Sequence, residues 1–227
     1  MTPLLIALVA TLAALALGYW FLIRPWHLRW GATDEEVARA MPLDDQVKRP
    51  TYVTNRALTL KATPEEIWPW LAQMGELPRG GFYSYVLVER LLGLRVENSE
   101  RILPEFQQLS VGQALDRVGD MLVKAVEPNR YLVLGPPEET IPQTNIFDTT
   151  WAIALYPIDD KSTRLISRVR IFIKITLRGL FWLTLLDFGQ FVMERKMLTE
   201  LKRRAERIGK EVPAAAKRMI GSKIEAL

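Results

Sequence analysis

The sequence contains no cysteine and a single histidine, His27. Without a thiol there is no disulfide, no thiolate zinc site, no iron–sulfur cluster and no cysteine nucleophile. His27 stands beside an apolar N-terminal run, and its position predicts a place outside the folded region. A Ser-His-Asp triad and a multi-histidine metal site therefore lack their raw material. An all-carboxylate site for a hard cation is left open by composition, but an acidic loop of EF-hand spacing is missing, so neither a metal nor a cofactor is expected. No internal repeat or low-complexity block breaks the chain. The excess of positive charge is small, +4 over 227 residues, and fits attraction to anionic lipid.

What is present is apolar and anchored. Hydrophobic residues make up 49% and charged residues 25%, which excludes both a disordered chain and a bundle of membrane spans. Residues 3–23 read PLLIALVATLAALALGYWFLI without one charged side chain. About 20 residues at ~1.5 Å rise cross the hydrocarbon of a bilayer. Tyr19, Trp20 and Trp26 stand at the far end, where amphipathic rings settle at headgroup level. A cleaved signal peptide is the rival, but no basic residue precedes the run, and the small-x-small triplet Ala14-Leu15-Ala16 lies inside it. Arg24 and Arg29 follow the run, so the charge rule keeps the rest of the chain in the cytoplasm. The chain thus divides into 1–28, a single-pass cell-membrane anchor with its interface; 29–50, a lead-in; 51–209, one domain; and 210–227, a loosely ordered tail.

Within the domain, Tyr52 to Lys61 predicts a strand. Thr63-Pro64-Glu65-Glu66 announces a helix running to about Gly75, with Thr63 as N-cap, Pro64 at the first helical position and Glu66 at the capping-box position. A second helix is predicted from about Ser84 to Leu92. Strands follow at Met121 to Glu127 and Arg130 to Gly135, then at Thr149 to Pro157 and Thr163 to Lys174, the last two joined by a polar loop over Ile158 to Ser162. In the last strand a period of two sets Leu165, Ser167, Val169, Ile171 and Ile173 on a dry face. Ile166, Arg168, Arg170, Phe172 and Lys174 fall on the other, expected to be mostly wetted, with both arginines in solvent. A curved antiparallel sheet with one buried face accounts for this. A long amphipathic helix closes the chain from about Gly179 to Gly209, with Phe191, Leu198, Leu201, Ala205 and Ile208 on one stripe. Its first part, Leu180 to Phe188, is apolar nearly all round; burial is favoured over a second span, which would have to bury Asp187.

Strand, two helices, antiparallel strands and one long C-terminal helix form an α+β succession of the helix-grip kind. The carrying segments are Trp30-Gly31-Ala32-Thr33-Asp34-Glu35-Glu36, Trp68-Pro69-Trp70-Leu71 with Gln73-Met74-Gly75, Arg79-Gly80-Gly81-Phe82-Tyr83-Ser84-Tyr85, Arg101-Ile102-Leu103-Pro104-Glu105 and Phe191 to Leu198. In that order, over about residues 30 to 208, they resemble the START-like superfamily (SRPBCC, polyketide cyclase-like), in a bacterial membrane-anchored branch. The resemblance implies a hydrophobic cavity between sheet and C-terminal helix, with no single reaction attached.

Candidate ligand-binding residues are Trp70, Tyr83, Tyr85, Glu89, Arg101, Trp151 and Phe188. Gly80 and Gly81 allow a tight path, beside which Tyr83 and Tyr85 offer rings with hydroxyl handles; the alternative is that these rings plug the core. Arg101 is placed to hold a carboxylate or phosphate, or to pair with Glu105. Trp68, Trp70 and Trp151 are core residues and, as such, cavity lining. No catalytic residue is assigned. The basic run Lys202, Arg203, Arg204, Arg207 and Lys210 lacks interleaved aromatics, so nucleic acid is not expected as a partner. The expected function is a membrane-tethered binding module for a lipid or other apolar small molecule. The alternatives are a cyclase or hydratase-like enzyme using Tyr83, Tyr85 or Glu89, and a scaffold whose cavity is filled.

Overall fold

The computed structural model describes residues 3–137, 147–173 and 176–211. Helix α1 (Pro3–Gly18) passes through a π-helical turn (Tyr19–Ile23) into α2 (Arg24–Leu28). No residue of α1 is buried. Among the described residues, Pro3–Leu28 is the one helix long and apolar enough to cross a membrane.

The lead-in carries α3 (Asp34–Ala38), started by a reciprocal capping box. Glu36 N donates to Thr33 Oγ1 at 3.3 Å and Thr33 N to Glu36 Oε2 at 2.9 Å, which satisfies two otherwise orphaned donors. Strand β1 (Tyr52–Leu60) follows, then α4 (Pro64–Ala72), where Thr63 N donates to Glu66 Oε2 at 3.0 Å as the sequence predicts. Helix α5 is only Val86–Leu91, shorter at both ends than expected. Strands β2 (Leu122–Glu127), β3 (Tyr131–Gly135), β4 (Phe147–Asp159) and β5 (Ser162–Ile173) lead to α6 (Leu177–Glu211). The β4–β5 hairpin is tighter than the sequence suggests, because both strands run on to pair Asp159 with Ser162. The expected tail from 212 onward, Lys174 and the side chains of 180–186 and 208 lie outside the described residues.

All strand pairings are antiparallel, in the order β1-β5-β4-β3-β2. With α6 laid along the inner face, this is a helix-grip arrangement. Leu132, Leu134, Ile153, Leu155 and Leu165 on that face bury themselves against Trp70, Leu71 and Met74 and against Leu198 and Leu201 of α6. Each such side chain contributes roughly 1.5–3 kcal/mol by leaving water.

The outer face departs from expectation. It is covered by the lead-in rather than by solvent, because a second apolar cluster joins Met41 to Ala57, Val133, Ala152, Ala154 and Ile166. Arg168 is buried, not wetted. Its Nη2 donates to Glu36 O and Val37 O, both at 3.0 Å, its Nη1 to Arg39 O at 2.8 Å and to the Asp44 carboxylate, and its Nε to Asn55 Oδ1. Arg170 is half-buried, with Nη2 donating to Val47 O at 3.2 Å. Strand parity gave the correct side for both arginines, but not what lies upon that side. Gly31 makes the close approach possible: its φ is +74°, and a Cβ there would stand 2.1 Å from Ala57 O.

Candidate functional site

Strand β1 points Tyr52, Thr54 and Arg56 to the inner face, in phase with Leu58 and Leu60. Arg56 lies opposite Ser167 of β5, and Ser167 accepts from Trp151 Nε1 at 2.9 Å. Across from this row, α6 presents Asp187, Gln190 and Glu194. Arg56 Nη1 donates to both Gln190 Oε1 and Glu194 Oε2, and Arg56 Nε donates to His27 O at 3.0 Å. Tyr52 OH donates to Asp187 O at 3.2 Å. Burial pushes the Tyr52 phenol up to about 12, so it remains a neutral donor.

The end of the N-terminal rod is built into this region. His27 is fully buried, which corrects the expectation that it stands outside the fold. Its ring packs on Phe188 and Phe191, with centroids 5.7 and 5.4 Å away. Asp187 Oδ2 accepts from Tyr19 OH at 2.6 Å and from Arg24 Nε at 3.0 Å. Tyr19 OH also stands 3.1 Å from His27 Nε2. With the phenolic proton given to Asp187, the histidine proton belongs on Nε2, and Nδ1 is left as an acceptor.

Four buried polar atoms along β1 and α6 have no hydrogen-bond partner: Thr54 Oγ1, Arg56 Nη2, Asp187 Oδ1 and Glu194 Oε1. Most buried polar groups are satisfied, so four orphans on one strand and the helix facing it call for an explanation. They comprise a hydroxyl, a cationic donor and two anionic acceptors beside an apolar interior. That set suits a ligand with an apolar body and one polar, hydrogen-bonding group.

The residues singled out from the sequence do not form one site. Trp70 and Tyr83 meet edge to face, 6.1 Å apart, deep in the core; Tyr83 OH donates to Trp70 O at 2.9 Å, and burial raises its pKa. Tyr85 is exposed, with its ring 5.8 Å from Lys196 Nζ. Glu89 is buried on α5 with Oε2 unpartnered, and desolvation alone pushes its carboxyl up to about 7. Arg101 is exposed, and it is its backbone oxygen that accepts from Gln73 Nε2, at 3.1 Å. Trp151 belongs to the Arg56 row, and Phe188 adjoins it through His27. The described residues also form an open concavity of about 390 Å³ lined by Gln46 to Arg49, Asp148 and Phe172, none of them among the seven.

Sequence reading passed over Thr54, Arg56, Gln190 and Glu194. The signal was available: Glu194 interrupts the apolar stripe between Phe191 and Leu198, and Arg56 sits in phase with Leu58 and Leu60.

No known family model and no curated protein matches the chain. Among solved structures, it is similar to a START superfamily protein from Mycobacterium smegmatis, at 13% identity over 69% of this chain and 98% of that one, with a TM-score of 0.37. It is also similar to a truncated norcoclaurine synthase from Thalictrum flavum, at 14% identity, 71% and 94% coverage and a TM-score of 0.37. A third likeness is to a Mesorhizobium loti protein, at 17% identity, 68% and 97% coverage and a TM-score of 0.38. The strand order and the long C-terminal helix are those of a helix-grip arrangement.

Proposed function

We propose that this protein is a membrane-tethered binding module holding a lipid or other amphiphilic small molecule between the inner sheet face and α6. The polar group of the ligand sits at Thr54, Arg56 and Glu194, and its apolar body lies along Trp151 and the neighbouring interior. The observation behind this reading is the set of unpartnered buried polar atoms on β1 and α6, Thr54 Oγ1, Arg56 Nη2 and Glu194 Oε1 among them. Trp151 supports it, being only half-buried although it sits on the inner face of a central strand. Residues 3–23 are the tether, in the cell membrane, with the domain on the cytoplasmic side by virtue of Arg24 and Arg29.

The test is native mass spectrometry of the full chain released from mild detergent, with lipid extraction of the same sample. The expected result is a reproducible bound mass. In Thr54→Val, which keeps the side-chain shape, affinity falls about fivefold, the weight of one hydrogen bond of ~1 kcal/mol, and occupancy falls with it. Wild-type protein that is consistently bare, and that takes up no added fatty acid or phospholipid, overturns the reading.

One observation favours a second reading, an acid–base enzyme of the cyclase or hydratase sort. Glu89 is buried and unpartnered and holds its proton near neutral pH, as a general acid must, whereas the Tyr83 hydroxyl is committed to Trp70 O. Turnover lost in Glu89→Gln while ligand occupancy persists would establish it.

A further inference from the structure

Helix α5 is built inside out. At about 100° per residue, Leu87, Leu91, Val88 and Leu92 share an arc of about 140°, while Glu89 lies about 200° round from Leu87. The leucine arc is the exposed side: Leu87 is 72% and Leu91 79% accessible, and Leu92 and Val88 are exposed as well. The acid is the buried side, only 3% accessible. A surface helix in water shows the opposite arrangement.

The patch is continuous with the foot of the N-terminal rod. Phe188 and Val192, one turn apart on α6, are both exposed. On one flank of that stripe, Trp26 packs against Phe191, with centroids 5.3 Å apart. On the other, Ser84 Oγ donates to Met193 O at 2.9 Å and the Tyr85 ring faces Lys196. An apolar belt thus runs from Trp26 over Phe188 and Val192 to Tyr85 and the leucines of α5. Arg90 and Arg95 are exposed in and just after α5, followed by the exposed acid Glu97.

We infer that α5 is an interfacial helix whose leucine face rests in the bilayer that holds the rod. This rests on the proposal that residues 3–23 span the membrane. The rod's continuity with the belt supplies the surface, and Arg90 and Arg95 suit anionic headgroups. Glu89 turns away from the lipid and carries no charge towards it when protonated.

Because the chain has no native cysteine, single-site labels are clean. The experiment places an environment-sensitive fluorophore on Leu91→Cys, Leu12→Cys or Asp160→Cys in the full chain, reconstituted in phosphatidylcholine–phosphatidylglycerol vesicles with spin-labelled lipids. The Leu91 probe is expected to be quenched most by shallow spin labels, at the ~5–10 Å depth of an interfacial helix. The Leu12 probe answers to deep labels, and the Asp160 probe only to an aqueous quencher. A quenched Leu12 probe with a Leu91 probe open to aqueous quencher overturns the inference and leaves the span intact. A Leu91 probe shielded from both lipid and water means a protein partner or a second copy, and also overturns it. An unquenched Leu12 probe removes the span and the inference together.

Discussion

Arg56 of β1 and Glu194 of α6 pair in the interior, with their side chains 0% and 3% exposed. The pair joins the edge strand to the C-terminal helix at the level where the N-terminal rod arrives, since the same guanidinium also donates to His27 O.

Taking charges out of water is expensive, so a half-broken pair is worse than none. Glu194→Leu, which strands the guanidinium, is expected to lower stability by ~3–5 kcal/mol. Arg56→Met with Glu194→Leu should recover most of that loss and at the same time abolish ligand retention. Thermal unfolding of the full chain in one detergent, followed by lipid extraction, checks both. A double variant no more stable than the single one would show that the pair is not what Glu194 contributes.

Arg168→Lys is expected to release the lead-in from the sheet. A guanidinium reaches five acceptors spread over Glu36, Val37, Arg39, Asp44 and Asn55, whereas an ammonium has three donors at one point. Hydrogen exchange is the measurement. Amides of α3 and residues 39–47 should lose protection while those of the β4–β5 hairpin keep theirs; unchanged protection over 34–47 would refute the assigned role.

Glu89 gives the fold a pH dependence of definite sign. Its folded pKa, raised to about 7 from 4.5, means that the folded state binds the proton more tightly than the unfolded state does. Stability is therefore fully present below about 4.5 and declines as pH rises through 7. The whole effect is roughly 3 kcal/mol, at ~1.4 kcal/mol per pKa unit. Melting curves from pH 5 to 8 should fall for the wild type and flatten for Glu89→Gln, which carries no titrating proton. Parallel slopes in the two proteins would assign the dependence to another group.

Much of the architecture was legible in the residues. The capping pair Thr63 and Glu66, the dry row Leu165 to Ile173 and the stripe of Phe191, Leu198, Leu201 and Ala205 all follow from local spacing, which fixes period and phase. What covers a face does not follow from its period. Arg168 reads as a wetted residue because nothing near it in sequence announces that residues 36–44, over a hundred positions away, lie on top of it. The same holds for the candidate site. Arg56, Gln190 and Glu194 each read as surface residues until β1 and α6 are laid side by side, whereas the conspicuous aromatics Trp70 and Tyr83 turn out to serve packing.

The burial of His27 changes what the N-terminal rod is. A segment that merely moored the domain would end in a pliant leash, and the domain would swing beneath it. Here the last turns carry a fully buried side chain, and Tyr19 and Arg24 both hold Asp187. The rod is a keel rather than a mooring line: it cannot be cut away without opening the hull, and it sets the heading of everything attached to it. A shortened chain starting at residue 29 would lose a core residue along with its apolar segment.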